Sequence, residues 1–101
     1  ESRGERVICF AHMPLMPPDG QFTLWNNGQI AALLQRYPCV RAFLAGHHHK
    51  GGAHRFGSVL HFIFQGMIEG PDNHYAIVEV YPDKLVIRGY GAQRDETLRW
   101  L

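Results

Sequence analysis

Two short apolar runs, 7–11 and 40–45, the second interrupted only by Arg41, constrain the fold of this chain most strongly. Neither run alternates with polar residues, a pattern typical of strands buried on both faces in a parallel sheet. The segment between them places apolar side chains at helical spacing, at Ile30, Leu33, Leu34 and Tyr37, and Pro38 ends it. This pattern predicts a strand-helix-strand unit with a buried helix face. The two strands should be parallel and should end at the same edge of a sheet.

The second half of the chain predicts antiparallel hairpins. Residues 55–56 and 59–64 flank Gly57 and Ser58, a pair that suits a two-residue turn. Residues 75–81 and 85–90 form a second pair around a Pro-Asp turn, and residues 97–101 read as one more strand. The fold class is therefore α/β (α+β), with one strand-helix-strand unit followed by antiparallel hairpins.

Composition bears on whether the chain binds nucleic acid, crosses a membrane or carries disulfides. Its 101 residues suit one domain, and a net charge of +1 with scattered arginines disfavours nucleic acid as the main ligand. No stretch approaches the roughly 18 apolar residues of a membrane helix. The two cysteines, Cys9 and Cys39, form no close pair, which indicates a cytoplasmic protein without a disulfide framework.

Histidine is the residue type that points to chemistry, with seven in the chain. His12 follows the first apolar run, and His47, His48 and His49 follow the second. Side chains two residues apart in an extended segment point the same way, so His47 and His49 could converge with His12. Neutral imidazoles suit zinc, manganese, iron or nickel, and the pattern leaves the metal open. The alternative is a set of exposed histidines that bind metal only adventitiously.

Both histidine segments carry a resemblance to a known family. Residues 7–15 and 44–49 resemble the last two metal-binding motifs of the calcineurin-like metallophosphoesterases, strand-His-x-Pro and Gly-His-x-His. Residues 24–26, 45–52 and 66–71 are similar to the manganese-dependent ADP-ribose and CDP-alcohol diphosphatase branch. The resemblance covers nearly all of the chain.

The resemblance implies a dinuclear metal site and a hydrolytic reaction. His12 and His47 would hold one divalent ion and His49 the other, with manganese expected first and zinc or iron as alternatives. In that family a metal-activated hydroxide attacks phosphorus in line. The implied substrate is a phosphodiester or a nucleoside-diphosphate-linked molecule such as ADP-ribose.

Departures from the family pattern indicate that part of the site is missing. The chain has no Gly-Asp and no Gly-Asn-His motif, and Asp72-Asn73-His74 lies too late to serve as the early Asp-x-His pair. Residues 1–101 are therefore expected to be the carboxyl-terminal portion of one metallophosphoesterase domain. The early ligands would come from a missing N-terminal segment or from another chain, and self-association into a homo-oligomer would cover an exposed sheet face. No residue is assigned as catalytic.

Three further residues are candidates for substrate binding. Trp25 could stack on a nucleobase, Lys50 could contact a phosphate, and Glu69 could turn toward the metal loops. Each also has an ordinary interpretation, as a core aromatic, a solvated lysine or a surface acid. His61 alternates with Val59 and Ile63 and is expected to be a packed strand residue.

Two functions stay open at this stage. One is a metal-dependent phosphoester or diphosphate hydrolase. The other is a non-catalytic metal-binding or oligomerising module that lacks the carboxylate ligands.

Overall fold

A computed structural model describes residues 4–16, 23–46, 51–64, 75–91 and 93–99. Seven strands and one helix follow one another within these residues. They are β1 (Val7–Phe10), α1 (Asn27–Gln35), β2 (Val40–Ala45), β3 (Gly52–Phe56), β4 (Val59–Ile63), β5 (Tyr75–Val80), β6 (Lys84–Tyr90) and β7 (Glu96–Arg99).

The strands form two sheets. The first has the order β1-β2-β4-β3, and the second has the order β5-β6-β7. β1 and β2 are parallel and are joined through α1, which confirms the predicted crossover. The two predicted hairpins, β3–β4 and β5–β6, are both antiparallel, and β7 pairs with β6 near the expected last strand.

The first hairpin has a place in the fold that its sequence pattern did not predict. β4 lies parallel to β2, so this hairpin extends the sheet of the crossover unit. All five residues of β4 are buried, as in a central strand covered on both faces. The first sheet is consequently mixed, and only β5, β6 and β7 form the second sheet.

The first sheet lies between two separate hydrophobic cores. On one face, Val40, Phe43 and Ala45 of β2 pack with Leu15 and with residues of α1 and its flanks. On the other face, Ala42 and Leu44 belong to a cluster shared with Leu60, Phe62, Leu85 and Ile87, which joins the two sheets. The result is a helix layer, a mixed sheet and an antiparallel sheet, with β2 buried on both sides.

The buried face of α1 differs from the one that the helical spacing predicts. Ile30 and Leu34 pack against the core, but Leu33 and Tyr37 are 48% and 47% exposed. Ala31 is instead the fully buried residue of the helix. Leu33 therefore lies off the buried face of the helix, and Tyr37 lies beyond the end of α1.

A membrane-spanning helix is absent from the part of the chain that the structure describes. α1 has only nine residues.

Candidate metal centre

The candidate site lies where β1 and β2 end side by side. The backbone N–H of Ala11 donates to the carbonyl of Leu44 (3.0 Å), and the N–H of Gly46 donates to the carbonyl of His12 (2.9 Å). Parallel pairing therefore continues past the ends of both strands. His12 and Gly46, the residue that precedes His47 in the chain, both lie at this edge.

His12 lies directly against Gly46. A Cβ placed on Gly46 would be 3.9 Å from Nδ1 of His12 and 3.7 Å from its carbonyl oxygen. Gly46 is followed directly by His47, and the Cα atoms of consecutive residues are about 3.8 Å apart. The chain therefore enters the Gly-His-x-His segment beside the His12 imidazole, which is itself exposed at the edge. An exposed imidazole in this position fits the role of one nitrogen ligand to a divalent ion.

Several of the predicted site residues lie outside the described residues. They are His47, His49, Lys50 and Glu69, and the Asp72-Asn73-His74 segment, which was not expected to bind metal, lies outside them too. Within residues 4–16, 23–46, 51–64, 75–91 and 93–99, no three side chains of histidine, cysteine, aspartate or glutamate are grouped so as to hold a metal ion. The convergence of His47 and His49 on His12 stays a prediction.

Trp25 is exposed at the end of the loop that follows His12. The N–H of Leu24 donates to the carbonyl of Pro14 (2.9 Å), and Nδ2 of Asn27 donates to the carbonyl of Leu15 (3.0 Å). These bonds tie the start of α1 to the segment just after His12. Trp25 is 87% exposed, so its interpretation as a core aromatic is wrong.

His61 is a buried strand residue, as the alternation of β4 predicts. It is 2% exposed, and neither of its ring nitrogens has a hydrogen-bond partner. Its ring centroid lies 5.8 Å from that of Phe43 in the core. Burial, with a smaller contribution from His54 on the facing strand, lowers the pKa of His61 to about 4. His61 is therefore neutral at pH 7.

A cavity of about 250 Å³ near the same edge was not predicted from the sequence. It lies between the first sheet and the residues that lead into β7. The residues that line it are Gly51, Gly52, Ala53, Phe62, Ile63, Gln93, Arg94 and Glu96. The glycine pair directly after the histidine cluster was a usable signal. The sequence of the segment before β7 gave no signal of a binding site, because polar residues between strands are typical of any solvated connection.

Comparison with known proteins gives relatives of one kind. No family model matches the chain. The manganese-dependent ADP-ribose/CDP-alcohol diphosphatase of Xenopus laevis is 35% identical over 108 residues, which covers 99% of this chain and 30% of the relative. The protein of the same name from Oryza sativa subsp. japonica is 37% identical over 100 residues, covering 93% and 31%. The human protein is 34% identical over 106 residues, covering 99% and 31%.

A solved structure agrees with these relatives. The crystal structure of a dimetal phosphatase from Danio rerio matches with a TM-score of 0.85 and 32% identity, over 96% of this chain and 32% of that one. The chain thus spans about 30% of the length of the curated relatives that it matches. Sequence and fold together show that this chain is similar to one part of the manganese-dependent ADP-ribose/CDP-alcohol diphosphatases and of the dimetal phosphatase from Danio rerio.

Proposed function

We propose that this chain contributes to a metal-dependent phosphoesterase that hydrolyses a phosphodiester or a nucleoside-diphosphate-linked substrate such as ADP-ribose. His12, His47 and His49 serve as ligands to a pair of divalent ions, with manganese as the first choice. The observation that carries this proposal is the placement of His12 against Gly46, at the shared end of two parallel strands. The names of the relatives support both the manganese and the substrate class.

The chemistry of the site divides between the metal ions and the protein. A bound divalent ion lowers the pKa of a coordinated water molecule and stabilises charge on phosphoryl oxygens. The residues of this chain would hold the metal ions in place and orient them. The hydrogen bond from the Gly46 N–H to the His12 carbonyl fixes the backbone of His12 and so helps to position its imidazole.

Substrate contacts extend the same proposal. Trp25 stacks on the nucleobase, which agrees with its exposure and with the bonds that tie its loop to the segment after His12. Lys50 contacts a phosphate, and Glu69 turns toward the metal loops. The early ligands come from a preceding segment or from another chain, and the protein acts in the cytoplasm on small nucleotide-type molecules.

The test is ADP-ribose hydrolysis by the complete gene product that contains these residues, assayed with and without added manganese. We expect manganese-dependent turnover in the wild type and its loss in His47→Ala, because an absent imidazole removes a metal ligand. His54→Ala is the matched control, since His54 is an exposed histidine on β3. It should retain turnover.

Two results would contradict the proposal. Unchanged turnover in His47→Ala would remove His47 from the metal site. Absence of turnover in the wild type at every manganese concentration would favour the non-catalytic, metal-binding or oligomerising module.

A further inference from the structure

The unpredicted cavity lies two to three strands away from His12, at the carboxyl end of β4. The N–H of Phe64 donates to the carbonyl of Ala45 (2.9 Å), so the end of β4 adjoins the end of β2. Gly52 pairs with Ile63 on the next strand. With strands about 4.8 Å apart, the β4 and β3 walls of the cavity lie roughly 10 and 14 Å from β1, two and three strands away. Its Gly51 wall follows His49 by only two residues.

The segment that carries Gln93 and Arg94 is held firmly against β6. Gly89 permits this approach, because a Cβ on that residue would overlap the carbonyl of Gln93. The N–H of Gly89 donates to Oδ1 of Asp95 (2.7 Å). The buried Gln93 side chain donates from Nε2 to the carbonyl of Arg94 (3.2 Å). A wall fixed in this way loses little conformational entropy when a ligand binds to it.

The wall of the cavity combines groups of complementary chemistry. Arg94 brings a guanidinium group, which binds phosphate through paired N–H donors. Glu96 brings a carboxylate, which disfavours a bare inorganic anion but accepts hydrogen bonds from sugar hydroxyls. Gly51 and Gly52 have no side chains to obstruct an approaching group. Phe62 and Ile63 add an apolar surface.

We propose that this cavity binds a ribose-phosphate portion of the substrate, with Arg94 on the phosphate and Glu96 on the ribose hydroxyls. This inference rests on the proposed function and adds two specificity-determining residues to it. The volume agrees with a partial fit, because clefts that take a whole drug-sized ligand measure about 300–1,000 Å³. A cavity of about 250 Å³ holds one part of a dinucleotide-sized molecule while the rest extends along the edge.

The test compares two substrates in the complete gene product with manganese. ADP-ribose carries a ribose-phosphate on each side of the scissile diphosphate, whereas bis(p-nitrophenyl) phosphate carries none. We expect Arg94→Ala to raise KM for ADP-ribose about tenfold or more, equivalent to about 1.4 kcal/mol of lost binding, with kcat changed less than about threefold. Hydrolysis of bis(p-nitrophenyl) phosphate should not change. Arg94→Lys should restore part of the loss, and Glu96→Gln should raise KM for ADP-ribose alone.

The matched control is Arg99→Ala, because Arg99 is an exposed arginine on β7 whose ion pair is with Asp83. It should leave KM for both substrates unchanged. Equal losses on both substrates in Arg94→Ala, or no change on either, would overturn the inference while the proposed function stands. If the wild type hydrolyses neither substrate, the proposed function fails. In that case the affinity for ribose 5-phosphate is measured in the wild type and in Arg94→Ala. Equal affinity in the two proteins, or no binding to the wild type, overturns this inference too.

Discussion

At the scale of single residues, His61 couples the stability of the fold to pH. Its buried ring has no hydrogen-bond partner, and its pKa of about 4 lies below the ordinary value of 6.5. The unfolded chain therefore binds a proton at a higher pH than the folded chain does. The stability contributed by neutral His61 is complete above pH 6.5 and decreases as the pH falls toward 4.

We expect the free energy of unfolding to fall by up to about 3 kcal/mol over this pH range because of His61 alone. Urea denaturation at several pH values measures the decrease. His61→Phe should show a correspondingly shallower pH dependence, since a phenyl ring of similar size cannot be protonated. Parallel curves for wild type and His61→Phe would show that His61 titrates normally in the folded state.

Residue position also explains which parts of the site could be foreseen. His12 was identifiable because a histidine just after a short apolar strand stands at the end of that strand, and the structure places it there beside Gly46. The prediction that this strand is buried on both faces was wrong, because β1 lies at the edge of its sheet and Phe10 is 73% exposed. Arg94 was not identifiable. It reaches the cavity only because two sheets pack together, and nothing local in the sequence encodes that contact.

At the scale of elements, β6 depends on a glycine at its crossing with the segment before β7. Gly89→Ala would bring a methyl group onto the carbonyl of Gln93, which is backbone and cannot rotate away. We expect the free energy of unfolding to fall by about 2 kcal/mol. For a domain of this size, about 1 kcal/mol corresponds to 4–8 °C in Tm, so thermal unfolding followed by circular dichroism resolves the change.

The control for this substitution is Gly28→Ala in the first turn of α1. A Cβ on Gly28 meets nothing within 4 Å, and alanine has the higher helix propensity. This variant should keep or slightly raise Tm. If Gly89→Ala and Gly28→Ala had the same Tm, the close approach of Gln93 to β6 would be contradicted.

Local pattern predicted the elements well and their pairing less well. β2 was predicted with its observed bounds, and the hairpin turn at Gly57 and Ser58 was located, because strand and turn signals are carried by neighbouring residues. The pairing of β4 with β2 was missed, because it joins residues separated by the whole β3 segment. The buried face of α1 was partly wrong, since helical spacing alone does not show how Ala31 seats against the sheet.

At the scale of the whole molecule, the described residues form a helix, a mixed sheet and an antiparallel sheet, and the parallel strands β1, β2 and β4 of the mixed sheet end at one carboxyl edge. His12 and the cavity beside Gly51 and Gly52 lie along that edge, two to three strands apart. A metal site at one place and a ribose-phosphate site at the other would hold a single extended substrate. The fold therefore accounts for both proposals through one arrangement of strands.

We expect His12 to be a metal ligand at this edge. The most direct test is manganese binding to the complete gene product, measured by electron paramagnetic resonance as free Mn²⁺ is titrated into wild type and His12→Ala. His54→Ala serves as the control for loss of an exposed histidine. We predict that the wild type and His54→Ala bind manganese alike and that His12→Ala binds fewer ions or binds them at least tenfold more weakly, since losing a residue that merely supports a metal ligand already costs about 10- to 100-fold in affinity. Manganese binding in His12→Ala with unchanged stoichiometry and affinity would contradict the account.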